Sequence, residues 1–541
     1  MRQTFSLQHA LGKGAASVAA PLAAALRAAR VVAAALAVGL AGCAALPMPL
    51  DRPDSHAIDD VAATSLARIA AASRPEGARE PSGFRLLAEG DDALEARIAL
   101  IRRAEKTIDV QYYLIANDRT GRQFLAELAA AAARGVRVRV LVDDLYALRQ
   151  DALFAALAGQ PGFAVRLFNP LPVRGGGVVS RVALSAHEFA RINHRMHNKL
   201  LIADGSFAIT GGRNIGDEYF NRSGSAHFID MDLLSAGAVV ASMSSLFDEF
   251  WNSPYAYPAA SLLRARQRDA AARGESPAPA PAGPGGSDDA APFEPGSLAG
   301  ELAAGRVALR FAAARVVADR PSRIADDDRA RPDGPVMRAH LDLFASARAS
   351  VSVATPYLVP GRDGFATMRD GRANGIRYSV LTNSLATTDE PLVHFGYARY
   401  RRGLLELGVE LHELMPVLES TAGDAPDERH GASLGRLHAK LVVVDDRWVS
   451  IGSMNMDRRS ARSNTESAIL IDDPVLAGEV AAFLERSRAS GSYALRLGGS
   501  GNKVEWVGRE GEDVLRAEPR RAGGRGIKSR LASFFVSEEM L

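Results

Sequence analysis

The segment from His197 to Asp204 reads His-Asn-Lys-Leu-Leu-Ile-Ala-Asp, and the segment from His438 to Asp445 reads His-Ala-Lys-Leu-Val-Val-Val-Asp. This is HxKxxxxD written twice, 241 residues apart. Seven residues past each Asp stands a glycine (Gly211, Gly452), and ten past stands an asparagine (Asn214, Asn455). Two copies in register over eighteen positions are beyond chance, so the chain must fold as two related halves. The register extends upstream. Gly135 lies 62 residues before His197, and Gly375 lies 63 before His438.

Within a strand, residues i and i+2 share a face. His197 and Lys199 are therefore expected to point together, as are His438 and Lys440. Asp204-Gly205 is a hairpin signal. Asp204 and Asp445 complete the catalytic motifs but are expected at turns, holding architecture rather than reacting. The glycines after the return strands predict a place where a ligand approaches bare backbone. Paired about a pseudo-twofold axis, the halves would bring two His, two Lys and two Asn into one site. Two imidazoles supply a nucleophile and a general acid. Two ammonium groups and the amides of Asn214 and Asn455 would hold a phosphoryl group. The sequence has one cysteine and no carboxylate cluster suited to a catalytic metal, so we expect chemistry without metal or cofactor.

At 541 residues the chain is too long for one ordinary core. Residues 1–42 carry four basic residues (Arg2, Lys13, Arg27, Arg30) and no acid. Removing those four leaves 61 basic against 63 acidic residues, which argues against nucleic acid as the main partner. The apolar run Val31 to Leu40 follows Arg27 and Arg30 and leads into Leu40-Ala41-Gly42-Cys43. The layout is that of a signal peptide, too short to span a bilayer. Its end resembles a bacterial lipobox, which would make Cys43 a lipidation site. Acyl attachment is worth about 0.8 kcal/mol per buried methylene, so two or more chains anchor stably.

Apolar spacing at Leu94, Ile98 and Ile101 predicts a helix, followed by a strand over 107–114, a helix over 119–133 and a strand over 136–142. The second half repeats this as a strand over 350–358, a helix over 365–373 and a strand over 376–382. Such βαβ alternation predicts a largely parallel α/β sheet. We divide the chain into a signal peptide (1–42), a tether (43–80), a first repeat (81–256), a Pro/Ala/Gly-rich linker (257–300), a second repeat (301–500) and a basic tail (501–541). The tail carries six basic residues against one acid between Arg516 and Arg530. It reads as solvated chain, with contact to anionic lipid as the alternative.

The doubled motif resembles the phospholipase D superfamily over roughly residues 81 to 500. The resemblance implies two homologous α/β/α sandwich domains packed about a pseudo-twofold axis around one shared active site. It also implies a phosphohistidine intermediate, with His197 taken as nucleophile and His438 as acid and base. In that family each catalytic His is oriented by an acid downstream of the motif. Glu466 fits that place in the second half; Asp230 fits it in the first, with Asp232 as rival. Val110-Gln111-Tyr112-Tyr113, Arg195-Met196-His197, Gly211-Gly212-Arg213-Asn214, Thr355-Pro356-Tyr357 and Leu381 to Leu385 resemble the bacterial cardiolipin synthase branch, especially its third type. That branch implies phosphatidyl transfer among membrane phospholipids such as phosphatidylglycerol and phosphatidylethanolamine. A monomer anchored at the bacterial envelope, on the periplasmic side if the signal is used, is expected.

Other residues have plainer readings. His194 is expected at the surface or in a wall, and His394 in the core. Tyr112, Tyr113 and Tyr357 read as core aromatics more readily than as lipid contacts. Arg191 and Arg195 read either as phosphate ligands or as a solvated pair. The rival functions are a phospholipase D hydrolase, a nuclease of the same superfamily and a non-catalytic lipid-binding envelope protein.

Overall fold

The computed structural model describes residues 46, 51–147, 150–174, 178–224, 226–262, 297–325, 333–416, 434–499, 503–508 and 514–519. The proposed signal peptide and Cys43 lie outside them. Each repeat forms a mixed sheet. In the first, Thr107–Tyr112, Arg137–Asp143 and Phe163–Phe168 run parallel. Next to Thr107–Tyr112 come the motif hairpin Leu200–Ala203 and Phe207–Gly211, then Asp232–Gly237 and Ser82–Leu87, all antiparallel to their neighbours. The second repeat copies this order. Ser350–Ala354, Arg377–Asn383 and Glu410–Leu414 are parallel, and Leu441–Val444, Trp448–Gly452, Ser467–Asp472 and Arg310–Ala318 are antiparallel. The expectation of a largely parallel sheet is thus corrected. The motif is followed by a three-residue loop rather than a crossover helix, and so short a connection can join only antiparallel strands.

The helices follow the apolar spacing. Gly90–Arg103 and Arg119–Ala133 bury Leu94, Ile98, Ile101, Phe124 and Leu128 against the outer face of the first sheet. Asp118 caps the second of them, its side chain accepting from Gly121 N. Pro335–Ala345 and Gly361–Ala373 cover the second sheet in the same way. The inner faces share one core. Phe247 and Phe250 of the helix Ala238–Trp251 pack in it with Val480 and Leu484 of the helix Pro474–Gly491, along with Leu200, Leu233, Leu441 and Ile469. Ser82 pairs with Ala312, joining the two sheets edge to edge.

Parts of three segments expected to lie outside the repeats are folded. Part of the expected tether is folded: the helix Ser65–Ser73 buries Leu66 and Ile69, and Ala57 N donates to Asp248 Oδ2 at 2.7 Å. The expected linker yields at both ends. Ala256–Pro258 pairs with Phe163–Phe168, and Leu298–Ala303 buries Leu298 and Leu302. The start of the tail adds the strand Val504–Val507, whose Trp506 Nε1 donates to Glu413 Oε2 at 2.7 Å. In each case a few large apolar side chains inside a polar or Ala-rich stretch supply enough buried area to order it. Among the described residues no helix is long and apolar enough to cross a membrane.

Candidate active site

Both motif strands end at the centre of the molecule, and each continues into the opposite half. Leu434–Leu437, leading to His438, pairs in parallel with Ala226–Ile229 of the first repeat. His438 N then donates to Ile229 O at 2.8 Å. In mirror fashion Met196 bridges Thr465, and His197 N donates to Thr465 O at 2.9 Å. The residues that follow Ile229 and Thr465 are Asp230 and Glu466. Each acid is therefore delivered to the histidine of the other repeat. His197 Nδ1 lies 2.9 Å from Glu466 Oε2, and His438 Nδ1 lies 2.7 Å from Asp230 Oδ2. The two acids are those expected, but their pairing crosses between repeats. Asp232 is occupied elsewhere, accepting from Arg97 Nη2 at 2.8 Å.

Asp204 and Asp445 stand away from the reacting groups at equivalent turns. Asp204 accepts from the backbone N–H groups of Glu105, Lys106 and Thr107, and Asp445 from those of Arg348, Ala349 and Ser350. Both have positive φ, 46° and 54°, which Asp tolerates better than most residues. Each clamps its hairpin to the start of the central parallel strand.

The glycines make room for the acids and for the neighbouring strand rather than for a ligand, which corrects the earlier expectation. A Cβ on Gly212 would sit 2.2 Å from Asp230 Oδ1, and one on Gly211 2.2 Å from Asp232 Oδ1. On Gly452 it would meet Ser467 O at 2.2 Å. The position matching Gly212 is Ser453, whose hydroxyl donates to Glu466 Oε2 at 2.5 Å. Sequence reading missed this role, although the Gly-Gly against Gly-Ser difference marks it.

Both motif lysines are buried and reach back to their own histidine carbonyls, Lys199 Nζ to His197 O at 2.6 Å and Lys440 Nζ to His438 O. Lys440 Nζ also lies 2.9 Å from His438 Nδ1. Asp230 is a carboxylate and can only accept, so the Nδ1 proton goes to it and the lysine contact is electrostatic. Burial, with the facing lysine second, lowers the Lys199 pKa to about 7, and burial lowers that of Lys440 to about 8. Burial and the lysine charges also pull His197 down to about 4 against the attraction of Glu466. His438 is lowered by burial and Lys440. Burial opposes ionisation of Asp230, but the hydrogen bond from His438, together with the neighbouring charges of Lys440 and Arg213, outweighs it and holds the pKa at about 2. The two lysines make the site cationic. Its imidazoles are neutral with Nδ1–H turned to carboxylate, which leaves each Nε2 lone pair free.

Asn214 and Asn455 are both buried. Asn214 Nδ2 donates to Tyr219 OH at 2.9 Å, and the Oδ1 atom of each has no partner among the described residues. The aromatic wall is closer than expected. Tyr113 meets His197 edge-on with ring centroids 5.1 Å apart, and Tyr219 meets His438 at 5.2 Å. Tyr112 is core, its OH accepting from Arg97 Nε at 3.0 Å. His194 is buried rather than at the surface, with Nδ1 2.7 Å from Ser463 O across the halves. Arg195 is spent on Asp143 and the carbonyls of Ile192, Phe168 and Asn169. Arg191 bonds Glu188 and Asn169. Neither arginine reads as a phosphate ligand. His394 pairs with Glu518 at 2.8 Å, away from the dyads.

The domain family described as "Cardiolipin synthase, PLD-like domain" matches residues 98–251 and 341–488. The chain is 34% identical to Cardiolipin synthase C of Escherichia coli (strain K12) over 484 residues, 88% of this chain and 100% of that one. It is 33% identical to an uncharacterized protein of Helicobacter pylori (strain J99 / ATCC 700824) over 432 residues, 80% of this chain and 83% of the other. Among solved structures, phosphatidylserine synthase of Haemophilus influenzae Rd KW20 is similar in fold. Its TM-score is 0.51 at 15% identity, with 77% of this chain and 90% of that one covered.

Proposed function

The chain belongs to the phospholipase D superfamily, in its cardiolipin synthase-like branch, and from that premise we infer that it is a phosphatidyltransferase acting on membrane phospholipids through a phosphohistidine. The observation that carries this reading is the pair of crossed dyads, His197 with Glu466 and His438 with Asp230. His197 Nε2 attacks phosphorus and forms the P–N bond. The P–O bond to the leaving alcohol breaks, and His438, protonated once the phosphate charge is in place, gives its Nε2 proton to that oxygen. Neutral His438 then takes the proton of an acceptor alcohol, which attacks phosphorus and frees His197. The carboxylates support each imidazolium as it forms. Lys199, Lys440, Asn214 and Asn455 hold the non-bridging oxygens, where developing charge is stabilised by fixed donors.

Phosphatidylglycerol is the proposed acceptor and phosphatidylethanolamine a candidate donor, since a membrane-borne pair suits a chain anchored through Cys43 at the cell envelope. Domain limits, monomeric state and periplasmic placement belong to the same proposal. Hydrolysis is the second reading, because water can replace the alcohol at the same intermediate.

The test is to incubate purified protein with phosphatidylglycerol, alone and with phosphatidylethanolamine, and to resolve the lipids. A two-phosphate, four-chain product is expected, and phosphatidic acid alone would favour hydrolysis. DNA cleavage without lipid turnover would overturn the lipid reading.

A further inference from the structure

We propose that a cavity between the helices Pro335–Ala345 and Gly361–Ala373 binds one long acyl chain of an anionic amphiphile. The cavity opens to solvent on one side, and its space of about 680 Å³ counts that open mouth. Binding sites for small ligands are walled mainly by apolar side chains. Here the wall is made by Met337, Leu341, Phe344, Leu358, Met368 and Met456. Three of the six are methionines, whose unbranched, polarisable side chains adapt to a flexible chain.

Two further observations point to a ligand with a charged end. Arg362, Arg458 and Arg462 border the cavity alongside Asp333, Asp363 and Asp457, and Arg458 Nε is buried without a hydrogen-bond partner among the described residues. A carboxylate or phosphate at the mouth would supply that partner. The cavity also adjoins the catalytic centre. Met456 in its wall directly follows Asn455, and Met456 and Lys440 line one tightly packed crevice.

The first repeat shows what this region looks like when it is filled. Ile115 bridges Ile215 there, as Leu358 bridges Met456 here. The first turn of Arg119–Ala133 lies directly on the Ala116 backbone, where a Cβ on Gly121 would sit 1.8 Å from Ala116 O. Phe124 and Leu128 close the space behind it, both fully buried. The second repeat keeps the same bridge but opens the helix pair into an apolar hole. An opening of this kind in one of two matched halves is a feature added to the plan, not one the plan requires.

The acyl chain can come from the substrate lipid or from a second, non-reacting lipid. Only the first case rests on the function proposed above. The test uses the full chain carrying His197→Ala, so that lipid is not consumed, in detergent micelles. Two probes are used, palmitate and dipalmitoyl phosphatidylglycerol, each with a diazirine near the chain end. Photolysis and peptide mapping should place adducts on Met337, Leu341 or Met368. Filling the cavity with Leu341→Trp, or making it polar with Met337→Ser, should lower that labelling at least 5-fold. Adducts spread over the surface, or unchanged by both variants, overturn the inference.

Turnover by the otherwise wild-type chain separates the sources. If the substrate's own chain enters, Leu341→Trp raises KM at least 10-fold for dipalmitoyl but not dihexanoyl phosphatidylglycerol. If a second lipid enters, the variant affects both substrates equally, and added palmitate activates only the unsubstituted protein. Labelled cavity residues without any lipid turnover would uphold the acyl site and sink the function proposed above.

Discussion

Glu466 receives His197 and also the hydroxyl of Ser453, whereas the shorter Asp230 receives His438 and has Gly212 where Ser453 would stand. The lysines differ too. Lys199 donates to its histidine carbonyl and lies over the Tyr113 ring, while Lys440 lies 2.9 Å from His438 Nδ1. Backbone geometry is conserved between the repeats, since each histidine N–H is bound by the residue preceding the other repeat's acid. The side chains behind the imidazoles are not. The scaffold fixes where the two rings sit, and the tuning groups are free to give them different tasks.

The sharpest way to break that comparison is to remove one ring at a time. His197→Ala and His438→Ala should each lower phosphatidyl transfer by roughly 10³-fold or more, because nucleophile and proton donor are both required. With a p-nitrophenyl phosphodiester, whose leaving group needs little acid help, the two should part. His438→Ala should release a burst of nitrophenol and accumulate phosphate on His197, detected by mass spectrometry after rapid alkaline quench. His197→Ala should give no burst. The reverse pattern would exchange the two roles.

Smaller effects sharpen it. Glu466→Gln and Asp230→Asn keep the shape of each dyad but remove the charge that supports its imidazolium. Each should cost about 10²-fold in kcat with little change in KM. The burst of the first step should shrink with Glu466→Gln, and the slow second step should lengthen with Asp230→Asn. Ser453→Ala removes one hydrogen bond from a buried carboxylate and should cost about 5- to 20-fold, in line with a loss of roughly 1–2 kcal/mol. The matching Gly212→Ser is not its mirror image. It drives a side chain into Asp230 and should cost as much as Asp230→Asn. Equal, mild effects of the two changes would mean that the repeats are tuned alike.

Much of this was legible in the sequence. The doubled motif announced two halves and one composite site, and apolar spacing located Arg119–Ala133 to the residue. Asp230 and Glu466 were identifiable, but not the exchange between them. That exchange is made by backbone bonds from His438 to Ile229 and from His197 to Thr465, 209 and 268 positions apart, for which a linear pattern carries no signal. The glycines were read as room for a ligand because a bare backbone says only that something comes close. Here the close neighbours are Asp230, Asp232 and the strand beside Gly452. The folded stretches in the expected tether, linker and tail were hidden for a related reason. A polar or Ala-rich composition masks the few side chains, such as Leu66, Leu298 and Trp506, that find a partner only in three dimensions.

The smallest predicted effect concerns stability, and it runs opposite to activity. Lys199 and Lys440 are lowered to about 7 and 8 from an ordinary 10.5, first of all by burial. Between those values and 10.5 the unfolded chain binds more protons than the folded one. Stability contributed by these groups must therefore rise as pH climbs through that window. Activity must fall over the same range, because neutral amines cannot hold phosphate, so kcat/KM should decline above about pH 7 to 8. Chemical unfolding of the wild-type chain, compared at each pH with Lys199→Met and Lys440→Met, isolates the effect from other titrations. Each variant should be inactive, more stable at pH 7 by on the order of 1 kcal/mol, and less responsive to rising pH. Saturating tungstate, a tetrahedral dianion, should bind the wild type, raise both lysine pKa values and flatten its stability profile. Lys199, with its lower pKa, should account for the larger share. A larger share for Lys440 would mean that the second repeat, not the first, carries more of the cost of burying these charges.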